Sequence, residues 1–156
     1  MTREIPMTRG RVALVDDWWY ERLSKYRWHY HDGYAATMVG ASMLLMHQLV
    51  LGAKDGYEID HIDGNKSNNQ EHNLRFATHQ QNLANSKLRK DNKTGYKGVR
   101  YRDASGRWES YGTYNGRYHH LGSFRTAEQA ARSYDRFARE RFGAFAKLNF
   151  PDEQGN

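Results

Sequence analysis

Between Glu58 and Asn82 the chain reads EIDHIDGNKSNNQEHNLRFATHQQN, and its side chains divide the work of a hydrolytic site. Asp60 offers a hard carboxylate oxygen and Asn82 an amide oxygen, the donor types magnesium prefers, while His61 can take a proton from water near neutral pH. Such a set suits metal-assisted cleavage of a phosphate ester. The elements that must position it are a strand ending in Asp60-His61, a Gly/Asn-rich turn, Asn73, and a capped helix carrying Asn82. Neighbours on a strand point to opposite faces, so Asp60 and His61 cooperate only where the strand ends and twists, just before Gly64. Plainer readings exist: Asn68, Asn69 and Asn73 are good turn residues that satisfy their own backbone. A zinc cluster of His61, His72 and His79 would be an unusual set in a chain without cysteine.

The elements DHIDGN, NN, NLR and QN, in this order and spacing, resemble the HNH family of endonucleases. The resemblance implies a hairpin followed by a helix around a divalent ion, with His61 as general base, Asn73 tying the hairpin together and Asn82 in the third position. Many members carry His at that third position. The Asn form resembles phage and intron-encoded homing endonucleases, and an amide in place of imidazole favours magnesium or manganese over zinc.

Composition frames this reading. A chain of 156 residues holds one domain or two small ones. The absence of cysteine excludes disulfides and thiolate metal sites. No apolar run is long enough to span a bilayer and none has the form of a signal peptide, so the expectation is a soluble protein of the cytoplasm, that of a bacterial host if phage-encoded, with no membrane partner and no small-molecule cofactor. The net charge of +6 is unevenly placed. Residues 1 to 86 hold 9 Lys and Arg against 10 Asp and Glu, while residues 87 to 156 hold 15 against 8. The second half is therefore fitted to grip phosphates, although a solvated basic face would have the same composition.

In the first half, Val12 to Val15, Tyr26 to Tyr30 and Tyr34 to Val39 read as short strands, with a helix near Trp18 to Ser24. Leu44 to Leu51 is apolar enough for a buried helix and carries His47. The HNH resemblance sets a His-bearing helix beside the scissile region, which makes His47 a further catalytic candidate; a hydrogen-bonded core histidine is the equal alternative. Tyr57 to Lys90 contains the proposed nuclease unit, and Thr78 to Gln81 has capping-box spacing at the start of the helix bearing Asn82. A polar, basic segment follows, in which Lys87, Arg89 and Lys90 are positioned to lie along DNA.

Residues 95 to 150 have another rhythm. Lys97 to Arg102, Arg107 to Tyr114 and Arg117 to Phe124 read as three strands, the last two joined by Asn115-Gly116, a strong two-residue hairpin signal. Thr126 to Phe142 reads as a helix, with Thr126 and Gln129 in capping-box spacing and an apolar face of Ala127, Ala130, Ala131, Tyr134, Phe137 and Ala138. GYKGVRYR, GRW, LGSF, TAEQAARSYDRFA and LNF resemble the Apetala/ethylene-response-factor DNA-binding domain over essentially all of this stretch. The resemblance implies a three-stranded sheet in the major groove, with Arg100, Arg102 and Trp108 at DNA-contacting positions; Lys97, Arg107 and Arg117 extend the basic set. Tyr111 and Thr113 replace the family's acidic and basic pair and His120 replaces a Trp, so the plant target sequence does not carry over.

The expectation is thus an α+β chain: an N-terminal ββα-metal nuclease domain over residues 1 to 86, a basic linker over 87 to 94, the DNA-binding domain over 95 to 150 and a tail over 151 to 156. Its expected activity is homing-type cleavage of double-stranded DNA with one divalent ion held by Asp60 and Asn82, leaving 5′ phosphate and 3′ hydroxyl ends. The alternative from another class is a regulatory DNA-binding protein that retains a nuclease fold without its activity.

Overall fold

The computed structural model describes residues 1 to 151, and the chain divides into two compact units, Met1–His79 and a second that starts at Gln80. Both are built from small antiparallel sheets and short helices.

In the first unit, β1 (Thr2–Met7) and β2 (Arg11–Asp16) form a hairpin in which alternate residues, Ile5 and Met7 on one strand and Ala13 and Val15 on the other, turn inward. The short sequence TREIPM carries Pro6 and only two apolar inward positions, so its local pattern gives little strand signal. Helix α1 (Asp17–Leu23) follows, and the three strands β3 (His29–His31), β4 (Tyr34–Val39) and β5 (Ser42–Leu45) form a second sheet in that order. The expected helix from Leu44 is shorter: Leu44 and Leu45 pair with Thr37 and Ala36 in the sheet, and α2 (Met46–Leu51) begins only after them. The strand expected over Tyr26 to Tyr30 begins at His29: the backbone of Trp28 bridges Met7 of β1 instead of β4, and its buried indole N–H donates to the Leu23 carbonyl at 2.8 Å. The chain then forms β6 (Glu58–His61) and β7 (Leu74–Ala77), an antiparallel pair, and α3 (His79–Asn85) begins where the two units divide. The core joins Ile5, Met7, Ala13, Val15, Leu23, Trp28, Ala35, Met46, Val50 and Leu74, so β1, β2, α1, β4, α2 and β7 each contribute a buried side chain.

The second unit contains β8 (Val99–Arg102), β9 (Arg107–Tyr114) and β10 (Arg117–Phe124), in the order β10-β9-β8, with α4 (Ala127–Phe142) against one face. Asn115 and Gly116 both take positive φ, 51° and 71°, the backbone a two-residue hairpin turn requires. The Thr126 hydroxyl accepts from the Gln129 amide at 3.2 Å and caps α4. The buried carboxylate of Asp135 on α4 accepts from the Asn149 and Phe150 amides, and the Asn149 side chain in turn brackets both the N–H and the carbonyl of Lys97. One buried network thus closes the C-terminal LNF segment onto the chain just before β8, with its polar groups satisfied.

Gly112 on β9 lies so close to α4 that a Cβ there would overlap the Phe137 ring. We expect Gly112→Ala to destabilise the second unit by about 1 to 3 kcal/mol, the usual cost of overpacking, while leaving the unfolding of the first unit unchanged. Calorimetry of the full chain checks this, and an unaltered second transition would show that α4 moves aside freely.

Candidate active site and DNA-binding face

Strand β6 ends in Asp60 and His61, both buried, at 3% and 5% exposure. Cross-strand register sets Asp60 opposite Arg75, whose Nε and one terminal nitrogen both approach Asp60 Oδ2 at 2.8 Å. Arg75 belongs to the NLR element, but its role follows from strand register and was not assigned from sequence.

The loop from Ile62 to Asn73 is held by asparagine amides. Asn73, 4% exposed, accepts from the Asp63 amide through Oδ1 and donates through Nδ2 to Asp63 Oδ1, both at 3.0 Å, and to the Asn68 carbonyl at 2.9 Å. Its own carbonyl accepts from the Ile62 amide at 2.9 Å. Asp63 takes further bonds from the Asn65 amide and the Asn68 side chain, which hold its carboxyl below the usual range against the opposing effect of burial. The loop is stitched to β2, where the Leu14 amide donates to the Ser67 carbonyl and the Asn69 amide to the Leu14 carbonyl. It is stitched also to the turn before β4, through Ser67 Oγ to the Gly33 carbonyl and Lys66 Nζ to the Asp32 carbonyl.

This framework sets three rings together. His47, on α2, meets His61 edge-on with centroids 5.1 Å apart, and Tyr34 lies 5.3 Å from His47 and 5.9 Å from His61. Lys66 Nζ stands 4.2 Å over the Tyr34 ring. Burial, and then the neighbouring His61, push the His47 imidazole down to about 4. Burial also lowers His61, although the Asn69 side chain and the Asp63 and Asp60 carboxylates pull the other way. Both rings are therefore neutral at pH 7, the state in which an imidazole accepts a proton.

Of the other residues singled out from the sequence, Asn82 lies on α3, in the second unit. His72 is exposed in the turn before β7, and His79 pairs with Glu58 at 2.7 Å. Among the described residues no group of three or more His, Cys, Asp or Glu side chains gathers around one point. In the first unit the donor that suits an ion is an oxygen: the buried Asp60 carboxylate, oriented by Arg75 as outer partners orient ligating carboxylates. That chemistry fits a hard divalent cation.

Residues 45–84 match the HNH endonuclease family model and residues 94–144 the AP2 domain model. An uncharacterised HNH endonuclease of Acanthamoeba polyphaga mimivirus is 36% identical over 149 residues, covering 90% of this chain and 76% of the relative. The chain belongs to the HNH endonuclease family. Protein 3.8 of Escherichia phage T7 is similar too, 39% identical over 93 residues, 60% of this chain and 76% of that one. No solved structure matches. The HNH nuclease is a metal-dependent family, and the pairing of an HNH segment with a C-terminal AP2 domain implies DNA binding. No helix among the described residues is long and apolar enough to cross a membrane.

In the AP2 segment the strand register sorts the basic residues by face. Arg100 opposite Glu109, and Arg102 opposite Arg107, point away from α4, together with Tyr111 and Tyr118. Trp108 does not join them. It pairs with Tyr101 and Phe124 on the helix side and packs against the Val99, Ala130 and Ala131 core. Arg117 also has helix-side parity, at the exposed start of β10 opposite Tyr114. Lys97 is drawn away from the sheet surface: its ammonium donates to the Leu83, Ala84 and Ser86 carbonyls at 3.4, 2.5 and 3.0 Å, a cation at the C-terminal end of α3 and the residue just after it. Burial, and then Lys147, lower its pKa to about 8. Lys87, Arg89 and Lys90 are exposed before β8, and Arg89 forms a surface pair with Asp91.

A buried histidine whose folded pKa is lowered resists protonation, whereas the unfolded chain takes the proton near 6.5. Between about pH 6.5 and 4 the unfolded state thus binds more protons, and stability should fall with pH by up to about 3 kcal/mol from His47. Below that window the group adds no further slope. Depressed carboxylates such as Asp63 act lower, as pH falls through their own range. Urea unfolding followed by tryptophan fluorescence across pH 4 to 7 should show this slope, and His47→Phe should flatten it; an equally steep variant would mean that His47 is not the group excluded from protonation.

Proposed function

We propose that this protein is a homing-type endonuclease that hydrolyses phosphodiester bonds of double-stranded DNA, with His61 as general base. The observation that carries the reading is the placement of a buried imidazole, whose charging burial disfavours, at the end of β6, next to the Asp60 carboxylate and against a loop locked by Asn73. In this scheme Asp60 and Asn82 would hold magnesium or manganese, which when bound supplies charge neutralisation at the scissile phosphate. His61 takes a proton from the water that attacks phosphorus. A new P–O bond forms as the bond to the 3′ oxygen breaks, and the leaving oxygen takes a proton from solvent, which gives a 5′ phosphate and a 3′ hydroxyl. His47 packs on His61, limits its rotation and keeps a second cation away from it, because it stays neutral itself. Asn73 keeps the loop closed under the base.

The domain limits we propose are residues 1 to 86 for the nuclease, 87 to 94 for a basic linker and 95 to 150 for the DNA-binding domain. Arg100, Arg102 and Arg107 would face the groove, and Lys87, Arg89 and Lys90 would follow the phosphates. Trp108 and Lys97 would serve by supporting the sheet and α3. A phage-encoded protein working in the cytoplasm of a bacterial host agrees with the T7 relative. The binding-only alternative is the weaker reading, since a regulatory protein has no need of an imidazole kept neutral beside a buried carboxylate.

Supercoiled plasmid incubated with the protein and magnesium should be nicked or linearised, and a chelator should stop the reaction. His61→Ala should cut at least about a hundredfold more slowly, as expected for loss of a general base, with DNA affinity nearly unchanged. Cleavage by this variant at the wild-type rate would remove His61 from the role.

A further inference from the structure

On the open face of the C-terminal sheet a carboxylate stands between two arginines. Glu109 Oε2 accepts from Arg100 Nε at 2.9 Å and from Arg102 Nε at 3.1 Å, and a terminal nitrogen of Arg100 lies 2.8 Å from the same oxygen. That arm of Arg100 also donates to the Tyr118 hydroxyl at 3.0 Å. Beneath it Tyr118 and Tyr111 stack, 5.9 Å apart and inclined by 20°, with the Arg100 guanidinium 5.3 Å from the Tyr111 ring. Glu109 is the most enclosed of the three charged side chains, 15% exposed against 40% for Arg100 and 54% for Arg102.

A carboxylate here is a poor choice for gripping a polyanion, because it cancels part of the field that attracts phosphates. It is a good choice for orientation. It holds Arg102 through Nε, and Arg100 through Nε and one terminal nitrogen whose other N–H goes to Tyr118, which leaves the terminal N–H groups of Arg102 and the second terminal nitrogen of Arg100 to donate to purine acceptors such as guanine O6 and N7. Arg100 and Arg102 stand two apart on one strand, about 6.6 Å at the usual rise per residue, which equals roughly two base steps at 3.4 Å. We propose that Glu109 is a positioning residue for sequence readout: it fixes Arg100 and Arg102 to read purine edges two steps apart in duplex DNA, and so sets specificity at the cost of some affinity. This rests on DNA binding by the AP2-type sheet. As a plain surface ion pair the same contacts would add little to stability and nothing to discrimination.

The test uses the full-length protein in chelator, without divalent ion, and a library of random-sequence duplexes. The wild type should enrich a motif with guanine at two positions separated by one base. Glu109→Gln should lose roughly tenfold of the preference at those two positions, bind unselected duplex more tightly, and show a salt dependence steeper by about one phosphate contact, because the released arginines turn to the backbone. Tyr118→Phe, which removes only the hydroxyl on Arg100, should weaken one of the two positions and serves if Glu109→Gln fails to fold. A wild-type motif retained with equal discrimination in both variants would overturn the proposal. No enrichment by the wild type would overturn the DNA-binding reading beneath it, and the proposal with it.

Discussion

The geometry of the nuclease unit depends on one amide. Asn73 faces Asp63 as both donor and acceptor, reaches the Asn68 carbonyl, and presents its own carbonyl to Ile62. Between them these bonds close a loop that starts immediately after His61. Without the tie, β6 and β7 would still pair over four residues, but the backbone leaving His61 would be free to turn. A two-stranded ribbon of that length is marginal on its own, so the loop must be anchored elsewhere, and it is: to β2 through Leu14, and to the turn before β4 through Ser67 and Lys66.

Those anchors explain the polar interior. Asp16, Asn69, Gln70 and Asn73 are all buried, and each costs free energy unless hydrogen-bonded. Asp16 accepts from the Glu71 amide at 2.8 Å, and Glu71 in turn takes the indole N–H of Trp19 at 2.6 Å and of Trp18 at 3.2 Å. Asn69 donates to the Ser67 carbonyl. The two hairpins are thus joined by side chains with few alternative partners, an arrangement that specifies one register. Apolar packing alone would fill the same space while allowing the loop to slide. The rigid loop and the buried rings together produce an imidazole that is neutral, fixed in direction and beside a carboxylate.

Features that depend on neighbours in sequence were legible. The Asn115-Gly116 turn, the Thr126 cap, β9, β10 and α4 follow from local rules, and the Asp60-His61-Asn73 spacing stood out as a set. What sequence did not disclose was set by register or by distant partners. Whether Trp108 faces groove or helix depends on strand parity, and the pairing of Val99 with Ser110 settles it toward the helix. Lys97 looks like one more cation in a basic run, yet the carbonyls it satisfies lie at and just after the end of a helix that stops well before it in the chain. The Asp60–Arg75 pair and the contact between His47 and His61 have the same origin, since each joins residues more than ten positions apart. Glu109 reads as an ordinary polar strand residue until the two arginines on β8 are seen beside it.

The central claim, that the Asn73 tie holds His61 in working position, is tested most directly by the magnesium-dependent plasmid cleavage rate of Asn73→Asp. This change keeps the size and shape of the side chain but replaces the donor facing the Asp63 carboxylate and the Asn68 carbonyl by an acceptor. The account predicts a fall of about a hundredfold or more, the order of loss expected when a catalytic group is misplaced by about 1 Å, with DNA affinity through the second unit retained. Cleavage at the wild-type rate would contradict it.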